Sequence, residues 1–224
     1  MFTIDLHTHT RFFHGRRALG DRFDPYGVRL LTAVARYRGL DALALTNHDY
    51  YTPFRAADPV LLPGIEISTT RGHVLVVGPD PPRETTKGEL RPTEAVDLAH
   101  DHDCVAIMAH PFRNGDIRHS TADFDAIEVN GKHPENRRRA ERLAAERDLP
   151  LVGGSDAHFP IEVGRAYTVV DAPEPTAAAV VSAIREGRVE VRTSTGPVDR
   201  VLNRLYTTVH RRKGHLEPPT NEQS

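Results

Sequence analysis

The segment Asp5-Leu6-His7-Thr8-His9-Thr10 sets two imidazoles at positions i and i+2. In a strand such residues project from one face, so the pair can hold a single cation. Seven further residues of metal-ligand type recur along the chain: His14, His48, Glu66, His73, His110, Asp156 and His158, most of them at the end of an apolar run. Mixed imidazole and carboxylate donors suit zinc, iron or manganese. A set this large, gathered at strand ends, points to a polynuclear metal centre at one mouth of a barrel. Lone buried histidines are commonly hydrogen-bonded core residues, and His100 and His102, at a helix end, read that way; His119, His133, His210 and His215 read as solvated.

The elements that would carry these residues are short apolar runs alternating with helical stretches, the pattern of β/α units closing a parallel sheet or barrel. Strands are predicted near 2–7, 42–47, 60–67, 73–78, 104–109, 124–129 and 151–155. Helices are predicted from Asp24 (N-cap) and Pro25 (first position) to Gly39, and over 92–101, 134–147 and 175–186. A final amphipathic helix is expected after Gly196-Pro197, with Val198, Val201, Leu202, Leu205, Tyr206 and Val209 at helical spacing, followed by a disordered polar tail. Two units follow: a barrel over 1–195 and a helix with its tail over 196–224. Parity puts Thr3, Asp5, His7 and His9 on one face of the first strand, opposite Phe2, Ile4 and Leu6. It groups His48 with Ala42, Ala44 and Thr46, and Glu66 with Gly64 and Ser68, while His73 stays undecided. Glu128 and Asn130 share the interior parity and read as groups that orient ligand imidazoles.

Composition narrows the class. At 224 residues and 38% hydrophobic content the chain is long enough for one packed domain, and its net charge of -2 gives no general nucleic-acid surface and no polybasic membrane patch. One cysteine, Cys104, excludes an intramolecular disulfide framework. With no apolar run long enough for a span and no secretory h-region after Met1, a cytoplasmic location is expected. Oligomeric state is not legible.

DLHTHT at 5–10, TNHD at 46–49, AHP at 109–111 and GSDAH at 154–158, with Gly64-Ile65-Glu66 and Gly72-His73 between them, resemble in order the motifs of the PHP family, the polymerase and histidinol phosphatase domain. The resemblance implies a distorted (β/α)7 TIM-like barrel and a phosphoesterase that attacks phosphorus with hydroxide generated on two or three divalent ions of zinc, manganese or iron. It implies that His7, His9, Glu66 and Asp156 surround one ion, that Glu66 bridges to a second held by His73 and His110, and that His14, His48 and His158 bind a third. Asp156 or a metal-linked histidine such as His158 would shuttle the proton. Two departures stand out. Phe13-His14-Gly15 replaces the commoner Ser-Asp-Gly, which removes a negative charge from the third site, and Thr46-Asn47-His48 replaces Thr-Asp-His, with Asn47 expected to act as a hydrogen-bonding support.

Arg113, Lys132 and Arg165 each follow a predicted strand end, where the mouth of a β/α barrel lies, and are the candidates for binding substrate phosphate. The expected substrate is a small phosphorylated compound, a nucleotide or a short oligonucleotide. Two other readings compete. An amidohydrolase would share the barrel and the opening His-x-His but would need a mid-chain bridge such as a carbamylated lysine, and a non-catalytic metal-stabilised binding module would be favoured by a depleted ligand set.

Overall fold

A computed structural model describes residues 1–11, 20–113 and 115–212. Among the described residues nine strands form one sheet: β1 (Phe2–Thr8), β2 (Ala42–Leu45), β3 (Val60–Thr69), β4 (Gly72–Val77), β5 (Val105–Met108), β6 (Ala126–Asn130), β7 (Leu151–Gly154), β8 (Ala166–Val170) and β9 (Val189–Thr193). Their order is β7-β6-β5-β4-β3-β2-β1-β8-β9. The sheet curls until the chain beyond β7 meets β1: His9 N donates to Ala157 O at 2.9 Å, and Ser155 N and Gly164 N donate to the two Asp5 carboxylate oxygens, each at 2.8 Å. The result is a nearly closed, distorted TIM-like barrel.

Seven of the nine strands match the sequence expectation, and β8 and β9 are additional. The sheet is mixed, not parallel throughout. β1, β2 and β3 run parallel, as do β5, β6 and β7, whereas β3/β4, β4/β5, β1/β8 and β8/β9 are antiparallel. Only Thr70 and Arg71 separate β3 from β4. Two residues suffice for a hairpin, whereas a parallel crossover needs a dozen or more.

The interior holds at least one apolar side chain from each of β1 to β7, among them Ile4, Leu6, Ala42, Leu62, Leu75, Val105, Ala126 and Val152. Helix α4 (Ala177–Arg185), capped by Thr176 accepting from Ala179 N, adds Val180, Val181, Ala183 and Ile184 to this cluster and plugs the end away from the histidines. Each fully buried valine, leucine or isoleucine among them contributes ~1.5–3 kcal/mol. Outside the sheet, α1 (Gly20–Tyr37) covers Leu43 and Leu45, and α2 (Pro92–Asp101) and α3 (Arg137–Arg147) cover Ile65, Val76, Met108 and Ile127.

Two helical expectations change. Helix α1 begins at Gly20, so Pro25 lies inside it and Asp24 is no cap; buried Asp24 instead accepts from Tyr50 OH at 2.8 Å. Helix α5 (Pro197–Arg212) forms, but it docks through polar residues one face apart: Asp199 pairs with Arg38 at 3.1 Å, Asn203 accepts from Arg165, and Tyr206 donates to Glu162. Val201 and Leu205, expected on its buried stripe, are exposed. The tail beyond Arg212 lies outside the described residues. No described helix is long and apolar enough to cross a membrane.

Candidate metal centre

Two histidines reach the site through an irregularity in β1. Between Asp5 and Thr8 the register against β2 slips, three residues spanning two of the partner. An extra residue in one strand re-aims the side chains beyond it. Ile4 and Leu6 belong to the interior cluster, contrary to the simple parity reading, and the slip lets His7 and His9 turn inward as well, onto Glu66. The other parity groupings hold: Leu43 and Leu45 pack outside while Ala42 and Ala44 face in, and Ile65 and Ile67 pack outside while Glu66 faces in. The β3/β4 hairpin settles His73, since it pairs Ser68 with His73 and so brings this imidazole beside Glu66.

Glu66 is fully buried and lies among five imidazoles. Its Oε2 stands 3.3 Å from Nε2 of His7 and of His9 and 2.9 Å from His48 Nδ1; its Oε1 stands 2.8 Å from His73 Nδ1 and 3.1 Å from His110 Nε2. Asp156 Oδ1 is 3.4 Å from His9 Nε2 and 3.7 Å from His7 Nε2, while Asp156 Oδ2 accepts from Arg113 at 3.1 Å. The backbone of His110 (φ 25°) and Asp156 (φ 54°) is left-handed, a strained conformation for residues with a Cβ that clusters at functional sites.

The hydrogen bonds behind the ligand candidates fix their orientation. His7 Nδ1 donates to Glu128 Oε1 at 2.7 Å, which turns Nε2 toward Glu66 and Asp156; Glu128 Oε2 accepts from His110 N at 2.7 Å and from Asn130 Nδ2 at 3.2 Å. This carboxylate-histidine arrangement is how proteins set the tautomer of a metal-binding imidazole. Gly154 permits it, because a Cβ there would lie 2.5 Å from Glu128 Oε1 and 2.5 Å from the His7 Cβ. Asn47 is the expected support: its Oδ1 accepts from Thr10 N at 2.9 Å.

Burial disfavours charge here, yet the groups are held in opposite states by their neighbours. Desolvation opposes the His7 imidazolium, but Glu128, Glu66 and Asp156 outweigh it and hold its pKa well above the usual histidine range. Burial and the adjacent His158 push His9 well below it, and burial takes His110 down to about 4. Against their own desolvation, Glu66 is kept ionised by His48, His73 and His7, and Asp156 by Lys132 and His7.

The donor set fits metal ions. His7 and His9 bring their Nε2 atoms within 3.1 Å of each other, and His73 Nδ1 lies 3.4 Å from His110 Nε2, so ring nitrogens converge where a cation would sit. Glu66 Oε2 and Asp156 Oδ1 are buried and accept no hydrogen bond of ordinary geometry among the described residues. Three groups of donors lie close enough to share an ion: His7, His9 and Glu66; His48, Glu66 and His73; and His9, His48 and His158. His14 lies outside the described residues.

A cleft of about 350 Å³ opens over the centre, lined by His9, His48, His73, His158, Arg11, Lys87 and Arg113 among others. Of the three cations expected to bind substrate, only Arg113 lines it. Lys132 is drawn below the surface, with Nζ donating to His158 Nδ1 at 2.7 Å and lying 3.5 Å from Glu162 Oε2. Arg165 is buried beneath α5, its guanidinium 4.8 Å over the Tyr206 ring. The sequence reading missed Arg11, Lys87 and Glu162, which carry no motif, and placed His133 in solvent although it is buried.

The family model described as PHP-associated matches residues 134–189. Among solved structures, PsfC from Pseudomonas syringae PB-5123 is similar over 95% of this chain and 98% of its own, with a TM-score of 0.70 at 20% identity. A two-domain protein from Bacteroides vulgatus ATCC 8482, containing a predicted PHP-like metal-dependent phosphoesterase, covers 92% of this chain and 69% of its own at 0.60 and 21% identity. The lesion-specific endonuclease PfuEndoQ from Pyrococcus furiosus covers 85% and 57% at 0.58 and 16% identity. No curated protein matches the chain. At these identities the structural likeness is one of fold. The PHP-associated match and the six motifs in order agree with that fold, which is the fold of PHP-like phosphoesterases.

Proposed function

We propose that this chain is a metal-dependent phosphoesterase acting on a small phosphorylated compound, a nucleotide or a short oligonucleotide. The observation that carries the reading is Glu66, a buried carboxylate whose two oxygens each lie within 3.3 Å of a separate set of imidazole nitrogens, three around Oε2 and two around Oε1. That is the disposition of a bridge between two cations. His7, His9, Glu66 and Asp156 would hold one ion, and Glu66 with His73 and His110 the other. When bound, such ions supply Lewis acidity toward a phosphoryl oxygen and make water nucleophilic near neutrality.

The protein's own residues supply the rest. Arg113, Arg11 and Lys87 line the cleft and present donors to phosphoryl oxygens; arginine does so as a planar fork. Arg113 also fixes Asp156, leaving Oδ1 of that carboxylate turned to the imidazoles. Glu128 holds His7 in one orientation from behind, and His158 lies at the cleft wall, where a proton would have to reach the departing oxygen.

The deciding experiment is hydrolysis by metal-loaded protein of matched panels of phosphomonoesters, dinucleotides and short oligonucleotides, cyclic amides and carbamates. Release of inorganic phosphate or nucleotide is expected. Turnover of amides or carbamates alone would put the amidohydrolase reading first. A fully loaded protein inactive on every panel would favour a binding module.

A further inference from the structure

We propose that a second groove, beside the metal cleft and lined by arginines of α3 and of the segment after β5, binds the sugar-phosphate chain of a single-stranded oligonucleotide whose reacting phosphate lies in the cleft. The inference rests on the phosphoesterase reading above and selects the oligonucleotide from the substrate classes that reading leaves open.

The groove has a volume of about 640 Å³. Four arginines line it, Arg118 from the segment after β5 and Arg139, Arg142 and Arg147 from α3, and Glu146 is the one carboxylate among the described lining residues. The chain as a whole carries a net charge of -2, so this excess of cations is local. Arg139, Arg142, Leu143 and Glu146 are spaced i, i+3, i+4 and i+7 and share one face of α3. At 1.5 Å per residue that face runs about 10 Å along the helix axis, so the charge forms a track and not a point.

Neutral oxygens hold the guanidinium groups in place. Arg147 donates to Ser120 O at 2.9 Å and to Arg118 O at 2.6 Å, Arg118 Nη1 donates to Gly115 O at 2.9 Å, and Arg139 Nη1 donates to Asn136 Oδ1 at 3.4 Å. Such bonds fix the planes of the cations without cancelling their charge. Asp116 stands 3.9 Å from Arg118, but its side chain is 65% exposed, where solvent screens an ion pair.

Consecutive residues join the groove to the cleft, for Phe112 lines the one and Arg113 the other. Their Cα atoms are about 3.8 Å apart, so a phosphate held at Arg113 has its chain neighbour at the end of the groove. At that end the Arg139 guanidinium carbon lies 4.2 Å over the Phe112 ring. An aromatic ring and an arginine beside a cationic track are what single-strand sites use to hold bases by stacking, without regard to sequence. Stacking needs an unpaired base, which selects a single strand. A small phosphorylated compound would end within the 350 Å³ cleft and leave the track unused. An acidic peptide would match the charge but not the ring or the adjoining phosphoryl site.

Fluorescence anisotropy of a labelled deoxythymidine decamer and a labelled dinucleotide tests this on the full chain, in chelator so that neither probe is cut. The decamer should bind tighter by about tenfold or more, since each added phosphate contact releases counterions. Arg142→Gln changes an exposed side chain and should weaken decamer binding by about tenfold, lower its salt slope by about one, and spare the dinucleotide. Arg142→Lys, which keeps the charge, should retain most of the affinity. Equal affinity for the two probes, or wild-type decamer binding by Arg142→Gln, would overturn the proposal. So would a ten-residue glutamate peptide that binds as tightly as the decamer. None of these measurements reads turnover, so dinucleotide hydrolysis without a decamer preference would sink this inference and leave the phosphoesterase reading standing.

Discussion

The two halves of the mouth use the same residue types in opposite senses. Around Glu66 a buried anion gathers imidazoles from β1, the β2 end, β4 and the β5 end, whereas around His158 an imidazole is met by the Lys132 cation and screened by Asp156 and Glu162. The charge fixed among the donors differs: an anion at the centre of one group, a lysine at the edge of the other.

The largest effect expected from breaking this contrast is at Glu66. Glu66→Gln removes the anion while keeping the volume, and kcat should fall by more than about 100-fold, beyond the ~10–100-fold cost of losing an outer hydrogen-bond partner of a ligand. Metal content measured alongside should fall too; near-normal turnover with unchanged metal would show that Glu66 bridges nothing. Next comes Gly154→Ala, whose Cβ would press on both Glu128 and His7. Overpacking of this kind costs ~1–3 kcal/mol, so a lowered Tm together with weakened metal affinity is expected. A drop in Tm with affinity intact would separate the fold from the orientation of His7.

Smaller effects sharpen the boundary of the mouth. Arg113→Ala should raise KM for phosphorylated substrates by about tenfold, the scale of one charge-assisted hydrogen bond. Arg165→Ala, buried under α5, should lower Tm and leave KM unchanged; a KM effect at Arg165 equal to that at Arg113 would return it to the substrate site. Smallest is a proton count. His7 in the metal-free protein has its pKa raised by Glu128, Glu66 and Asp156 against desolvation, so its proton stabilises the metal-free fold below the unfolded histidine pKa, and that contribution is lost as pH rises through the folded value. A metal must displace that proton. Calorimetry in buffers of different ionisation heat should find about one proton released per chain near neutrality, with affinity rising with pH. No release would mean that His7 is not a ligand.

Much of the architecture is legible because strand and helix periods are local. Seven strands, α2 and the inward side of Glu66 follow from alternation and end signals within a few residues. β8 and β9 were also readable in principle, since Val189-Glu190-Val191-Arg192-Thr193 alternates along an edge strand. Alternation fails at β1, where a one-residue slip against β2 cannot be seen in either strand alone. It fails again in α5, whose helical stripe of valine and leucine is real but whose docking is done by Asp199, Asn203 and Tyr206.

What the sequence determines by itself is the inventory: histidines and carboxylates at strand ends, in an order that resembles one family. Local spacing limits which face a side chain takes, and residue type limits which cations it suits. Only the tertiary structure decides which of them meet. His7 finds Glu128 across 121 residues of chain and Lys132 finds His158 across 26, and it is these long-range contacts that set charge, tautomer and access. A buried group's chemistry is governed by what the fold packs within a few ångströms of it, and no local pattern encodes that neighbour.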